Sequence, residues 1–165
     1  MLTKNFYSYM KALLQNTTAD FTLKNGSSQP SAVVYSSHIP PFAAMNKHVV
    51  NTNDSGVSFG TGTTPANTTD YKLKNSLPST QISVSTPSAV SYSRVDTYEE
   101  YSVTFGVTNK TADVITISEV GLTASPQTAY PVLVDRTVLD TPVTIPAGQS
   151  KQITYTIRFN YGDAI

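Results

Sequence analysis

The clearest feature of this sequence is an alternation of apolar and polar residues through its second half. Apolar residues alternate with mainly Ser and Thr at 82–84, 90–93, 101–108 and 152–159. Because successive side chains of a β-strand point to opposite faces, a period of two predicts strands with one buried and one wet face. Such strands are typical of antiparallel sheets. The second half of the chain therefore predicts an antiparallel β-fold.

Chain length and turn residues extend this prediction to the whole protein. The chain has 165 residues, which suits one domain with a real core, and its 10 Pro and 8 Gly favour short strands joined by many turns. We expect an all-β fold, an antiparallel β-sandwich or jelly-roll-like single domain over residues 20–165. A short N-terminal α-helix or arm over residues 1–19 precedes it.

The N-terminal segment carries the one helical pattern. Apolar residues recur near a 3.6-residue period over residues 3–15, so we expect about three turns of helix. A helix this short is marginal alone and must pack on something. It either closes the open end of its own domain or docks into a neighbouring subunit. Docking would use Phe6, Tyr7, Tyr9, Met10 and Leu13.

Two local patterns predict irregular features. In 114–122 the apolar residues change from odd to even positions near Ser118 and Glu119, which predicts a β-bulge there. An inward-pointing Glu119 requires a cation, and we expect Arg136 to supply it in a structural ion pair. Earlier in the chain, Asn25-Gly26 predicts a hairpin, and an extended arm is expected over residues 38–50.

Composition argues against several classes of partner. The net charge is +0, with 11 basic and 11 acidic residues and no basic stripe, so we expect no nucleic-acid binding. No apolar run approaches the ~18 residues that span a bilayer, and we expect no membrane association. The chain has no Cys, which excludes disulfides and zinc-thiolate sites. We expect no cofactor and no metal.

One stretch formally matches a catalytic motif. Residues 56–60 read GVSFG, the pattern of a hydrolase nucleophile elbow, with Ser58 as nucleophile. That motif requires a helix after the serine and a later histidine. Here Thr and Pro follow, and both His38 and His48 precede the serine. We therefore expect no catalytic residues and no enzyme activity.

Three stretches, in order, resemble small virion proteins of tailed bacteriophages and prophages. They are VSFGTGTTP (57–65) with DYKL (70–73), ISEVGL (117–122), and LVDRTV (133–138) with Pro142, Gly148 and the closing strand 152–159. The family patterns are G-x-G-T-T-x-P before an Asp and a Leu, I-x-E-V-G-L, and L-x-x-R-x-V before a Pro/Gly turn. The likeness covers roughly residues 55–160.

The resemblance implies a structural virion protein located in the particle, in a neck, tail, fibre-base or head-decoration position. Its implied partners are other virion proteins and copies of itself, and the family pattern carries no catalytic residues. The alternative is a carbohydrate- or receptor-binding module on the same fold, with Tyr71 and Tyr130 as stacking platforms.

Overall fold

The computed structural model describes residues 1–15, 17–33, 55–95, 97–125 and 131–160. These residues form one helix and nine strands. In chain order they are α1 (Lys4–Gln15), β1 (Thr18–Thr22), β2 (Ser28–Val33), β3 (Gly56–Gly60), β4 (Ile82–Val84), β5 (Ser91–Val95), β6 (Tyr98–Asn109), β7 (Ile115–Ala124), β8 (Val132–Ile145) and β9 (Ser150–Asn160).

The strands from β3 onward form two antiparallel sheets that pack face to face. One sheet has the order β3-β7-β8. In the other, β6 pairs with β9 along its length and with both β4 and β5. Aromatic residues join the two layers: the ring centroids of Phe59 and Phe105 are 5.7 Å apart in an edge-to-face arrangement. The prediction of an all-β, sandwich-like single domain with a short N-terminal helix is confirmed.

A buried polar contact also crosses the layers. Tyr155 of β9 donates its hydroxyl to Oδ2 of Asp135 in β8 at 2.9 Å. Burial, together with the nearby Asp135 carboxylate, raises the pKa of Tyr155 well above its usual value. The phenol therefore stays a hydrogen-bond donor, which fixes the position of β9 against β8.

The strand registers define two ends of the sandwich. At the turn end, β6 passes into β7 through residues 110–114 and β8 passes into β9 through residues 146–149. The Asn109 side-chain amide joins these turns by donating to the carbonyl oxygens of Asp113 and Ile145. At the helix end, β6 begins opposite the last residue of β9, and β7 ends opposite the first residue of β8.

Helix α1 closes the helix end. Its inner face buries Phe6, Tyr9 and Ala12, whereas the apolar Leu14 is 80% exposed. Phe6 packs 6.3 Å from Phe159 of β9, and Asn5 donates to the carbonyl oxygen of Leu133 in β8, so the helix contacts both sheets. Burial raises the pKa of Tyr9 to about 12. No helix in the described part of the chain is both long and apolar enough to cross a membrane.

The predicted hairpin is present between β1 and β2. Gly26 adopts a φ of 87°, which glycine reaches without steric cost, and its amide donates to the Leu23 carbonyl oxygen. The Asn5 side chain both donates to and accepts from the backbone of Thr22, which ties the hairpin to α1. The arm expected over residues 38–50 lies outside the described residues.

The predicted irregularity in β7 is also present, with one difference. The β7–β8 register shifts between Ile117 and Glu119, where the parity of the apolar residues changes. The larger insertion, however, lies on the partner strand, because four β8 residues (139–142) stand opposite Ser118. Their side chains are exposed or half-buried, so the extra length is accommodated at the surface.

Candidate functional site

Glu119 is a fully buried carboxylate in the middle of β7. The register shift directs it away from the sandwich core, toward the connection that follows β3. Its Oε1 accepts the backbone N–H groups of Gly62 at 3.2 Å and Asn75 at 2.7 Å. Its Oε2 accepts the N–H of Lys74 at 3.1 Å and Nε of Arg136 at 2.7 Å. Both oxygens are therefore satisfied without water.

Arg136 is the cation that pairs with this carboxylate, and it too is fully buried. Besides Glu119, its guanidinium donates to Oδ2 of Asp70 at 3.0 Å and to the carbonyl oxygen of Thr64 at 2.9 Å. A longer contact of 3.4 Å reaches the Pro65 carbonyl oxygen. Because the guanidinium holds its donors in a rigid plane, it fixes two carboxylates and a loop backbone together.

Asp70 completes a group that we call the ionic cluster (Asp70, Glu119 and Arg136). Its Oδ2 also accepts the N–H of Asn67 at 2.9 Å, and its Oδ1 lies 2.7 Å from Nζ of Lys74. Burial alone raises the pKa of this carboxyl, but the hydrogen bonds from Lys74, Asn67 and Arg136 outweigh burial and hold it below its usual value.

The ionic cluster holds the loop of residues 61–76 against β7. The loop starts and ends beside β3, because Gly60 pairs with Ser76 and the N–H of Leu77 donates to the Phe59 carbonyl oxygen. Glu119 reaches the loop backbone only because glycine leaves room: a Cβ on Gly62 would lie 2.5 Å from Oε1 of Glu119. The geometry thus describes a loop clamp, in which the charged groups contact backbone and one another.

The structure places the predicted site residues as follows. The expected Glu119–Arg136 ion pair is present. The sequence did not identify Asp70 as the second carboxylate, although it stands at the Asp position of the virion-protein pattern. Ser58 is buried in β3, and its Oγ donates to the carbonyl oxygen of Gly121 at 3.3 Å. His38 and His48 lie outside the described residues.

The residues predicted to dock a neighbour divide between the two faces of α1. Phe6 and Tyr9 are buried within their own domain, and Met10 is half-buried. Tyr7 and Leu13 face outward, with 58% and 37% of their surface exposed. The prediction that α1 docks into a neighbour therefore remains for Tyr7 and Leu13. Phe6 and Tyr9 instead close the helix end of their own domain.

The structure describes only one of the two tyrosines proposed as stacking platforms. Tyr130 lies outside the described residues. The Tyr71 ring is half-buried and lies so close to Gly26 that a Cβ there would meet the ring at 3.3 Å. Nζ of Lys72 stands 5.8 Å from the centroid of the same ring. Part of the Tyr71 ring is therefore already used in packing the hairpin against the loop.

The ionic cluster predicts a loss of stability in acid. The pKa of Asp70 lies below its usual value of 3.8, so the unfolded chain takes up this proton before the folded one does. The free energy of unfolding should therefore fall as the pH drops below about 4 and approaches the lower, folded-state pKa.

Urea unfolding measured between pH 6 and 2.5 tests this expectation. Asp70→Asn should show a shallower loss in acid than the wild type, from a lower starting stability. Asp113→Asn, which removes a carboxyl from an exposed turn, is the control. If Asp70→Asn kept the wild-type slope, the contribution assigned to this carboxylate would be wrong.

The three stretches on which the expected likeness to virion proteins rests meet at the ionic cluster. The first supplies the loop glycines and Asp70, the second supplies Glu119, and the third supplies Arg136. Segments distant in the chain thus contribute to one buried network. Comparison of the chain with protein-family models, with curated proteins and with solved structures finds no match.

Proposed function

We propose that this chain is a non-catalytic structural component of a tailed-phage virion, and that it acts through contacts with other virion proteins and with copies of itself. One observation carries the proposal. The three residues of the ionic cluster, one from each of the three stretches, are buried and bonded to each other and to the backbone. Their role is to hold the fold, as a scaffold protein requires.

The surface supports the same proposal. Several large apolar side chains remain exposed at the helix end, namely Tyr7, Leu13 and Leu14 of α1 and Tyr92 and Val95 of β5. Apolar side chains grouped in this way are typical of protein contact surfaces. The outer face of β6 and β9 differs, because its hydroxyls pair across the strands: Ser102 with Thr156 at 2.8 Å and Thr104 with Thr154 at 2.9 Å.

Mass spectrometry of purified particles tests the proposal. If the chain is a virion component, its peptides should remain with particles through density-gradient purification, at a constant ratio to a major particle protein. A soluble protein of similar abundance from the same lysate is the control and should be depleted. Absence of the chain from such particles would overturn the proposal. If the chain is present, a particle reconstruction would locate it in the neck, tail, fibre base or head decoration.

A further inference from the structure

We infer that copies of this chain associate head to tail, with the helix end of one copy against the turn end of the next. The inference rests on the proposed assembly function and makes it specific by naming both contacting surfaces. The two ends lie at opposite ends of the same strands, and they expose side chains of complementary charge.

The contact surface at the helix end is a stripe along the outer face of α1. Lys4, Tyr7, Lys11 and Leu14 fall within about 80° of the helix circumference at 3.6 residues per turn. Tyr7 is 58% and Leu14 is 80% exposed, and both lysines are exposed. The helix contains no acidic residue, and neither lysine forms an ion pair within the described residues. The stripe is thus apolar and carries two positive charges that no carboxylate pairs with in the described part of the chain.

The contact surface at the turn end is acidic and apolar. Asp113 and Val114 protrude between β6 and β7, and Val114 is 61% exposed. The turn is well fixed, because the Asp113 carbonyl oxygen accepts from the side chains of Asn109 and Thr111, and the Asp113 side chain is exposed. Asp140 adds a second exposed carboxylate on the same sheet, in the four-residue insertion of β8 that lies opposite Ser118, three residues from the turn end of β7.

The basic residues near the turn end lie on the side of the sheet that contains β4, β6 and β9. Lys110 belongs to the same turn, but its Nζ donates to the Ser79 carbonyl oxygen at 2.8 Å, next to β4. Lys151 stands at the start of β9. The side formed by β7 and β8 therefore presents the carboxylates, and the opposite side presents the lysines.

Charge decides between the ways in which two copies can meet. A two-fold contact of helix end with helix end would bring four lysines together with no carboxylate from either stripe. A head-to-tail contact instead places Lys4 and Lys11 near carboxylates and covers Tyr7 and Leu14 with an apolar neighbour. Such a contact leaves one free surface on each side, so it propagates to a ring or a column.

Analytical ultracentrifugation of the full chain with two charge-reversed variants tests the inference. The wild type should associate with increasing concentration at low salt, and salt should weaken that association. Lys4→Glu/Lys11→Glu and Asp113→Lys/Asp140→Lys should each weaken self-association by about tenfold or more. All four side chains are exposed, so circular dichroism and thermal unfolding should match the wild type. Lys151→Glu is the control and should keep the association.

Mixing the two reversed variants gives the sharper result. The two altered ends are complementary to each other, and the two unaltered ends still form the wild-type contact. The mixture should therefore regain concentration-dependent association, with the two variants alternating in a 1:1 ratio. A wild type that stays monomeric, or a mixture that associates no better than either variant alone, would overturn the inference.

The particle experiment separates this inference from the proposed function. If Lys4→Glu/Lys11→Glu leaves self-association unchanged but is lost from particles, the stripe binds a different virion protein: the function stands and the inference fails. If the chain associates head to tail but is absent from particles, the inference stands and the proposed function fails.

Discussion

Replacing Arg136 with methionine is expected to lower the free energy of unfolding by about 3–5 kcal/mol. Methionine fills much of the space of the arginine stem but supplies no donor. Glu119, which is fully buried, and Asp70, which is nearly so, would then lose their shared cation. Leaving buried carboxylates without their partner is far more costly than losing an ion pair at the surface.

Urea unfolding at pH 7 measures this effect, with Arg158→Met as a matched control. Arg158 pairs with Glu100 at 2.6 Å, but its side chain is 51% exposed, so its loss should lower the free energy of unfolding far less than the loss of Arg136. The double variant Glu119→Gln/Arg136→Met should be less destabilised than the sum of the two single variants, because it removes a charge of each sign. Equal losses for Arg136→Met and Arg158→Met would show that the cluster does not clamp the loop.

Replacing Gly60 with alanine is expected to cost about 2–3 kcal/mol through steric overlap. The new Cβ would lie 2.6 Å from the backbone oxygen of Asn75 and 2.6 Å from Oε1 of Glu119. The Asn75 oxygen belongs to the backbone hydrogen bond that closes the loop, from the N–H of Thr61 at 2.9 Å, so it has little freedom to move. The strand and the 61–76 loop would have to separate.

Gly148→Ala separates steric overlap from the loss of glycine's flexibility. Gly148 has a φ of 68°, and a Cβ there would meet nothing within 4 Å, so alanine should cost only about 1 kcal/mol of backbone strain. Urea unfolding compares the two variants, and hydrogen exchange should show faster exchange at the amides of Thr61 and Asn75 in Gly60→Ala alone. A Gly60→Ala loss no larger than that of Gly148→Ala would contradict the close approach.

The sequence predicted those features that depend on neighbours in the chain. Period-two alternation identified the strands of the second half, because burying one face of a strand imposes that pattern directly. The parity change near Glu119 predicted the register shift, since a strand cannot otherwise exchange its faces. The Glu119–Arg136 pair was expected from the same parity change, because a carboxylate withdrawn from solvent requires a cation.

Tertiary structure decided the features that depend on segments far apart in the chain. Asp70 joins Arg136 across 66 residues, and no local pattern marks a loop carboxylate as buried. The larger insertion lies on β8, because a parity change in one strand does not state how many residues its partner loops out. The alternation of apolar and polar residues in the second half determined that the chain folds into sheets. The packing of α1 across both sheets, which buries Phe6 and leaves Tyr7 exposed, decided which end is closed and which residues remain for a neighbour.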